Sequence, residues 1–392
     1  LYTAEVKAAY RGPLPSSLPP HLYSVGERAR RGVWSCNKDQ LILLSGESGS
    51  GKTEASRLLL HFLTASPAAE SPYSVPLHAA HTVLQAFGNA KTRRNDNASR
   101  FAKYLDLELD HRGDAIGGSL TCYLLQKNRV SEQSPGERNF HFFYQLLAGA
   151  DPHTLKCLRL QRSVDHYSIL RASRASAADS ADDRTHFADT KHALEVLELD
   201  AGEQQAVLCV VAAVLKLSNI SFAPVNNIDG TEGCALQSEY ELREACSLLQ
   251  CSPDVLSAAL RTRSSTVTPA GGGGGSDVES VATELSAEQA SRARDLLCQA
   301  LYARLFAWII NKINIAIKVE GNGRRKVLGL LDVFGFETLD KNGFSQLLIN
   351  YTTERLAQVT REVTVQQRQE EYMREGLDWS YIDPCSDLLS LQ

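Results

Sequence analysis

The chain has a single methionine, Met373, among 392 residues, and it opens on Leu1. A reading frame ordinarily begins with methionine, so a piece of a longer protein is expected. The nine cysteines include no C-x-x-C pair and no Cys/His spacing suited to zinc, which argues against a zinc module and a disulfide framework. Reduced thiols in the cytosol are the expectation. The most apolar run, AVLCVVAAVLKL from Ala206 to Leu217, is too short for a bilayer and reads as a buried helix. No signal-peptide pattern stands at the start. Neither charge sign dominates: 41 Lys and Arg stand against 46 Asp and Glu, a formal net charge of -5. That balance builds in no strong pull on nucleic acid or an acidic membrane. The ten histidines show no H-E-x-x-H and no ligand spacing, so they read as surface or satisfied polar groups. No internal repeat is found.

What is present is ordinary globular chemistry. The chain is 43% hydrophobic and 22% charged, long enough for two or three subdomains around a substantial core. Leu1–Tyr10 reads as a short helix, ended by the Pro-rich stretch from Arg11 to His21. A second helix runs from Leu22 to about Val33. LILLS, Leu41–Ser45, fits a buried strand. Glu54–Ala65 carries apolar residues at helical spacing. KYLDLELD, Lys103–Asp110, alternates strictly, and with Ser119–Leu125 it predicts a hairpin. Asp106, Glu108 and Asp110 are expected on the wet face of that strand, not in a metal site. From Asn139 to about Lys216 the patterns are mostly helical. Thr268–Ser280 is a flexible loop by composition. A long helix is predicted from near Ser286 to about Ile317. Lys326–Glu337 reads as a buried strand and a turn, and Gly343 to about Glu375 as one polar-rich helix.

The most specific signal is GESGSGKT, formed by Gly46, Glu47, Ser48, Gly49, Ser50, Gly51, Lys52 and Thr53. It fits the phosphate-binding pattern G-x-x-x-x-G-K-[ST], with a strand before it and a helix after. Glycines let backbone N–H groups curl around phosphate oxygens. Lys52 supplies positive charge to the β- and γ-phosphates, Thr53 a hydroxyl to Mg²⁺, and the helix an N-terminus aimed at the anion. Such a loop needs partners that sense the γ-phosphate. Two stretches qualify. RRNDNASRFAK, Arg93–Lys103, offers Asn95, Ser99 and Arg100. LDVFGFE offers Asp332, which ends a strand where a Walker-B carboxylate would hold Mg²⁺ through water, and Gly335 with an unhindered amide.

In this order and spacing, GESGSGKT, NDNASRFAK and DVFGFE resemble the P-loop, switch I and switch II of the myosin motor head. AFGNAKT, GERNFHFFYQLLAGA, VVAAVLKLSNISF and NGFSQLLINYTTERL are similar to other head segments. GKTEAS, RNDN and LYARLFAWIINKIN lean toward the class I myosins. The resemblance implies an α/β fold, a P-loop NTPase-type mixed sheet surrounded by many helices. It implies a nucleotide-binding core over 1–125, a helical actin-binding subdomain over 126–325 with a Gly-rich loop at 269–280, and switch II with the relay helix over 326–392. It also implies an ATPase using ATP and Mg²⁺, coupled to actin filaments in the cytoplasm. Calmodulin-type light chains and acidic membranes would be reached through a neck and tail outside this chain, and nucleic acid is not a partner. Carried over residue by residue, Lys52 neutralises the β/γ oxygens, Thr53 and Ser99 coordinate Mg²⁺, Asn95 holds the phosphates, and the Gly335 N–H meets the γ-phosphate. Arg100 and Glu337 form the ion pair that closes the switches. Tyr2 stands at the tail of the family's purine-binding loop.

Some residues depart from the family pattern. Ala98 stands where the family has a serine whose hydroxyl lies beside the attacking water. A second water oriented by Glu337 is the substitute route. Ala102 replaces a glycine, so strain is expected if that position needs a positive φ. Gln126 and Ala357 also depart. The Gly-rich loop falls where the family has an actin-contacting loop, with Glu279 near its acidic or phosphorylatable position; a loose tether is the plain alternative. Arg93 and Arg94 either steer ATP or solvate their loop. Beside the motor stand a nucleotide-gated tether with weak hydrolysis, a truncated product without motor activity, and a kinesin-like NTPase. DVFGFE argues against the last, whose switch II reads D-x-A-G-S-E.

Overall fold

The computed structural model describes residues 1–12, 18–65, 73–171, 177–226, 231–267, 279–319, 325–338 and 342–382. Its centre is a mixed four-stranded sheet. The strands are β1 (Gln40–Leu44), β2 (Ala102–Leu109), β3 (Ala115–Tyr123) and β4 (Lys326–Asp332), in spatial order β1-β4-β2-β3. β4 runs parallel to β1, with Leu44 opposite Asp332. It runs antiparallel to β2, with Asp332 opposite Lys103. Parallel neighbours require a crossover, and here it comprises everything between β1 and β4. That long excursion returns switch II to the edge of the P-loop.

Among the described residues each predicted helix and strand is present with shifted ends, and Glu279 and Ser280, expected in the Gly-rich loop, lie in a strand instead. The P-loop helix spans Lys52–Thr64, followed by a helix at Ser74–Gly88 that leads into switch I. Ala201–Ser218 and Ala287–Ile317 are apolar and long enough to cross a bilayer by length and composition alone. Both are core helices: Val211, Val214 and Leu215 of the first are fully buried, as are Tyr302, Ile313 and Ile317 of the second. Each starts at a capping box, Asp200 with Glu203 and Ser286 with Gln289, so the chain marks their beginnings locally. The longer helix ties the excursion to the sheet. Its Tyr302 hydroxyl donates to the Phe87 carbonyl at 2.8 Å. Its Asn314 clasps Leu120 of β3, accepting from N at 2.7 Å and donating to O at 2.8 Å.

Three expectations need correction or refinement. The helix after Gly343 is not uniform: Phe344–Arg361 passes into a π-helical turn, Glu362–Gln366, before Gln367–Arg374. Thr360 and Thr364 hydroxyls donate to the Leu356 and Thr360 carbonyls at 2.8 and 2.6 Å, competing with the backbone ladder just where it widens. Ala102 is not strained, because it begins β2 and is absent from the positive-φ positions. The β2 carboxylates are half-buried, not wet. Glu108 pairs with Arg325 at 3.1 Å, and Asp110 Oδ1 accepts from the N–H groups of Arg112 and Asp114 to close the turn. The glycines Gly271–Gly275 lie outside the described residues; strands Thr262–Val267 and Glu279–Glu284 pair beside that segment.

Candidate active site

The P-loop leaves β1 and wraps back through Gly49 and Gly51, at φ +83° and +88°. These are left-handed conformations that side chains rarely adopt. Gly51 is the N-cap of the following helix and offers no side-chain cap. The first N–H groups of that helix therefore stay available, as a phosphate site needs. Lys52 folds inside this turn, its Nζ donating to the carbonyls of Gly46 at 2.9 Å and Glu47 at 2.6 Å. Burial lowers its pKa, against the opposing pull of Asp332, Glu337 and Glu47.

Switch I arrives from the Ser74–Gly88 helix. Asn95 is held in a turn by Thr92, and its own Oδ1 accepts from the Asn97 N–H at 3.0 Å. Ala98 and Ser99 pair with Ala90 and Asn89 in a two-residue ladder, which fixes their direction. The Ser99 hydroxyl reaches the Thr53 hydroxyl at 3.0 Å. Asp332, at the end of β4, is 4% exposed, and its Oδ1 has no hydrogen-bond partner among the described residues. Burial pushes its carboxyl up, against the pull of Lys103, the Thr53 hydroxyl and Lys52. Lys103 Nζ stands 3.8 Å from Asp332 Oδ2.

Switch II closes the far side. Phe336 bridges to Glu47, and the Phe336 carbonyl accepts from Ser48 N–H at 3.4 Å. Gly335 lies so close to the P-loop that a Cβ there would stand 2.1 Å from Ser48 N. Arg100 and Glu337 form a two-pronged buried pair, Nη1–Oε1 at 2.8 Å and Nη2–Oε2 at 3.0 Å. Burial pushes the Glu337 carboxyl up, but the Arg100 hydrogen bonds and charge outweigh it and hold the group below its usual value. Asn350 fixes the Glu337 backbone from the next helix, accepting from its N–H and donating to its carbonyl.

These elements enclose a cavity of about 190 Å³ lined by the P-loop, Asn95, Ala98, Ser99 and Gly335. That is below the roughly 300–1,000 Å³ of drug-sized ligand sites, a size for phosphates with the rest of a nucleotide outside. The donor set fits a phosphate chain with Mg²⁺: an uncapped helix start, two adjacent hydroxyls and a buried carboxylate oxygen lacking a partner.

The structure brings Ser48, Gly49, Gly51, Lys52, Thr53, Asn95, Ser99 and Gly335 onto one cavity. Gly46, Glu47 and Ser50 shape the loop without lining it. Tyr2 does not line this cavity: it is half exposed and packs against the rings of His21 and Tyr23 at 5.4 and 5.8 Å. Arg93 reaches the Pro135 carbonyl at 3.0 Å, tying its loop down. Sequence reasoning missed Lys103 and Asn97. Lys103 becomes visible only once β2 is set against β4, since its place opposite Asp332 is a matter of register.

A P-loop with two switch segments docked on it places the chain among the P-loop nucleotide-binding folds. The family model for the myosin head (motor domain) matches residues 1–390, and the chain belongs to that family. It is 41% identical over 386 residues to unconventional myosin-Ib of Homo sapiens, covering 98% of this chain and 33% of that protein. It is 40% identical to unconventional myosin-Ia of Gallus gallus, covering 98% and 36%, and 41% identical to unconventional myosin-Ia of Rattus norvegicus, covering 98% and 45%. The chain thus spans a third to under half of the curated relatives it matches. These relatives agree with the class I leaning of the sequence, and the membership sets aside the kinesin-like reading.

Proposed function

We propose that this chain is the nucleotide-hydrolysing part of an actin-based motor, taking ATP as substrate with Mg²⁺. One observation carries the reading above the rest. The buried Arg100–Glu337 pair joins switch I to switch II across 237 residues, beside the cavity that Thr53, Ser99 and Gly335 line.

On this reading, the P-loop amides and Lys52 grip the β- and γ-phosphates. Thr53 and Ser99 supply hydroxyls, and Asp332 a carboxylate, to hold Mg²⁺. When bound, that ion neutralises charge on the phosphate oxygens. Asn95 and the Gly335 N–H border the γ-phosphate. The Arg100–Glu337 pair seals the site from bulk water, so that the attacking water is held in line. Ala98 brings no hydroxyl, so proton transfer falls to water oriented by the Glu337 carboxylate, which its low pKa keeps ionised near neutrality. Movement of switch II is passed to the helix that starts at Phe344, through Asn350 on Glu337 and Thr353 on the Phe334 carbonyl. Actin filaments are the proposed track. Light chains and membranes belong to parts of the protein outside this chain.

The test is fluorescent-nucleotide binding, single-turnover hydrolysis and actin co-sedimentation by a head containing this chain. Mg²⁺-dependent nucleotide binding, ATP hydrolysis and ATP-triggered release from actin are expected. Nucleotide binding without hydrolysis would sink the motor reading.

A further inference from the structure

Arg100 has a second anchor. The Gln126 amide oxygen accepts from Arg100 Nε at 2.7 Å and from Arg129 Nε at 3.0 Å. Gln126 also grips Arg100 at its backbone, its N–H donating to the Arg100 carbonyl at 2.9 Å. The chain bends to achieve this. β3 ends at Tyr123, and Leu124 adopts φ +56°, a strained conformation for a side chain of that type. The turn returns Gln126 against switch I and starts the short helix Lys127–Val130. Behind it, Arg129 is fixed by Glu137 at 2.8 Å and by the Arg138 carbonyl at 3.0 Å. Two buried guanidinium groups and two buried carboxylates therefore surround a half-buried neutral amide. Among the described residues, Glu337 is the one carboxylate in ion-pair contact with Arg100.

We propose that Gln126 is a positioning residue for the switch gate: its amide oxygen aims Arg100 at Glu337, and its neutrality leaves Arg100 no carboxylate when Glu337 withdraws. The inference rests on the ATPase reading above. The acceptor favours closure, on which hydrolysis depends. The missing charge makes opening costly, because a buried guanidinium then loses its counter-charge. The two effects separate by substitution. Gln126→Met keeps the bulk and removes the acceptor. Gln126→Glu keeps the acceptor and adds the charge.

The experiment is stopped-flow ATP binding, quenched-flow hydrolysis and reporter-detected phosphate release, on the parent head and both variants. ATP binding should stay within about twofold of the parent in all three. Hydrolysis should fall about 10–100-fold in Gln126→Met, the worth of one hydrogen bond to a charged group, and stay within about threefold in Gln126→Glu. Phosphate release should become several-fold faster in Gln126→Glu. Parental hydrolysis in Gln126→Met would overturn the positioning role, as would equal losses of binding and hydrolysis. Unchanged phosphate release in Gln126→Glu would overturn the charge role. A parent that binds but does not hydrolyse ATP would overturn the ATPase reading, and this inference with it.

Discussion

Replacing Gly335 by alanine tests how switch II sits on the P-loop. The added Cβ would stand 2.1 Å from Ser48 N, 2.3 Å from Ser48 Cα and 2.5 Å from Glu47 C. These are backbone atoms, so no side chain can swing away. Ordinary contact begins at 3.4 Å, so the two segments must part by about 1.3 Å. The Ser48–Phe336 hydrogen bond is already 3.4 Å long and would not survive that movement. Gly335 is not at positive φ, so contact alone carries the effect. Overpacking of this kind costs about 1–3 kcal/mol. Falling on the closed state only, it lowers the closed-to-open ratio about 5–150-fold, at roughly tenfold per 1.4 kcal/mol. Single-turnover quenched flow should show hydrolysis reduced by up to that factor and at least severalfold, with the ATP-binding rate within about threefold of the parent. Parental hydrolysis, or an equal loss of binding, would refute the docking reasoning.

The other substitutions probe separate groups. Ala98→Ser should speed hydrolysis without tightening ATP binding, since Ala98 lines the cavity and a hydroxyl there adds a proton route; tighter binding with an unchanged chemical step would contradict this. Asp332→Asn should reduce the advantage of Mg²⁺ over EDTA in nucleotide affinity by at least tenfold, as a charge-assisted contact is lost; equal affinity ratios would remove Asp332 from the metal site. His81 is buried, and desolvation, with Lys103 beside it, holds its pKa well below the usual value. The unfolded chain takes up that proton below about pH 6.5 and the folded chain does not, so stability falls as pH drops. From pH 7.5 to 5.5 this is on the order of 1 kcal/mol. Denaturant melts of His81→Gln should show a pH loss smaller by that amount, and an identical loss would place the proton elsewhere.

Much of the fold was legible because its signals are local. The apolar run of β1, the glycines of the loop and the alternation of β2 each act within a few residues. The helix start at Ala287 was legible for the same reason, since Ser286 carries its cap. What stayed hidden depends on pairing across the chain. The Arg100–Glu337 contact came from resemblance, whereas the Gln126 bridge and the place of Lys103 opposite Asp332 needed the strand register and the turn at Leu124. The π-helical turn was hidden because periodicity does not distinguish it from the α-helix around it. The packing of Tyr2 on His21 and Tyr23 was hidden because the resemblance identifies a residue type, not its neighbours.

The central claim is that the Arg100–Glu337 pair closes the site for hydrolysis. Reversing it tests this most directly, by comparing Arg100→Glu, Glu337→Arg and the swapped double variant in single-turnover hydrolysis of MgATP. Each single change leaves a buried charge unpaired, at about 3–5 kcal/mol, and should cut hydrolysis by more than a hundredfold while ATP still binds. The double variant restores an opposite-charge pair across the same 237-residue separation and should regain hydrolysis at least tenfold over either single through closure, yet stay below the parent because the Glu337 carboxylate that orients the proton-transfer water is gone. Near-parental hydrolysis by a single variant, or a double variant no better than its parts, would contradict the account.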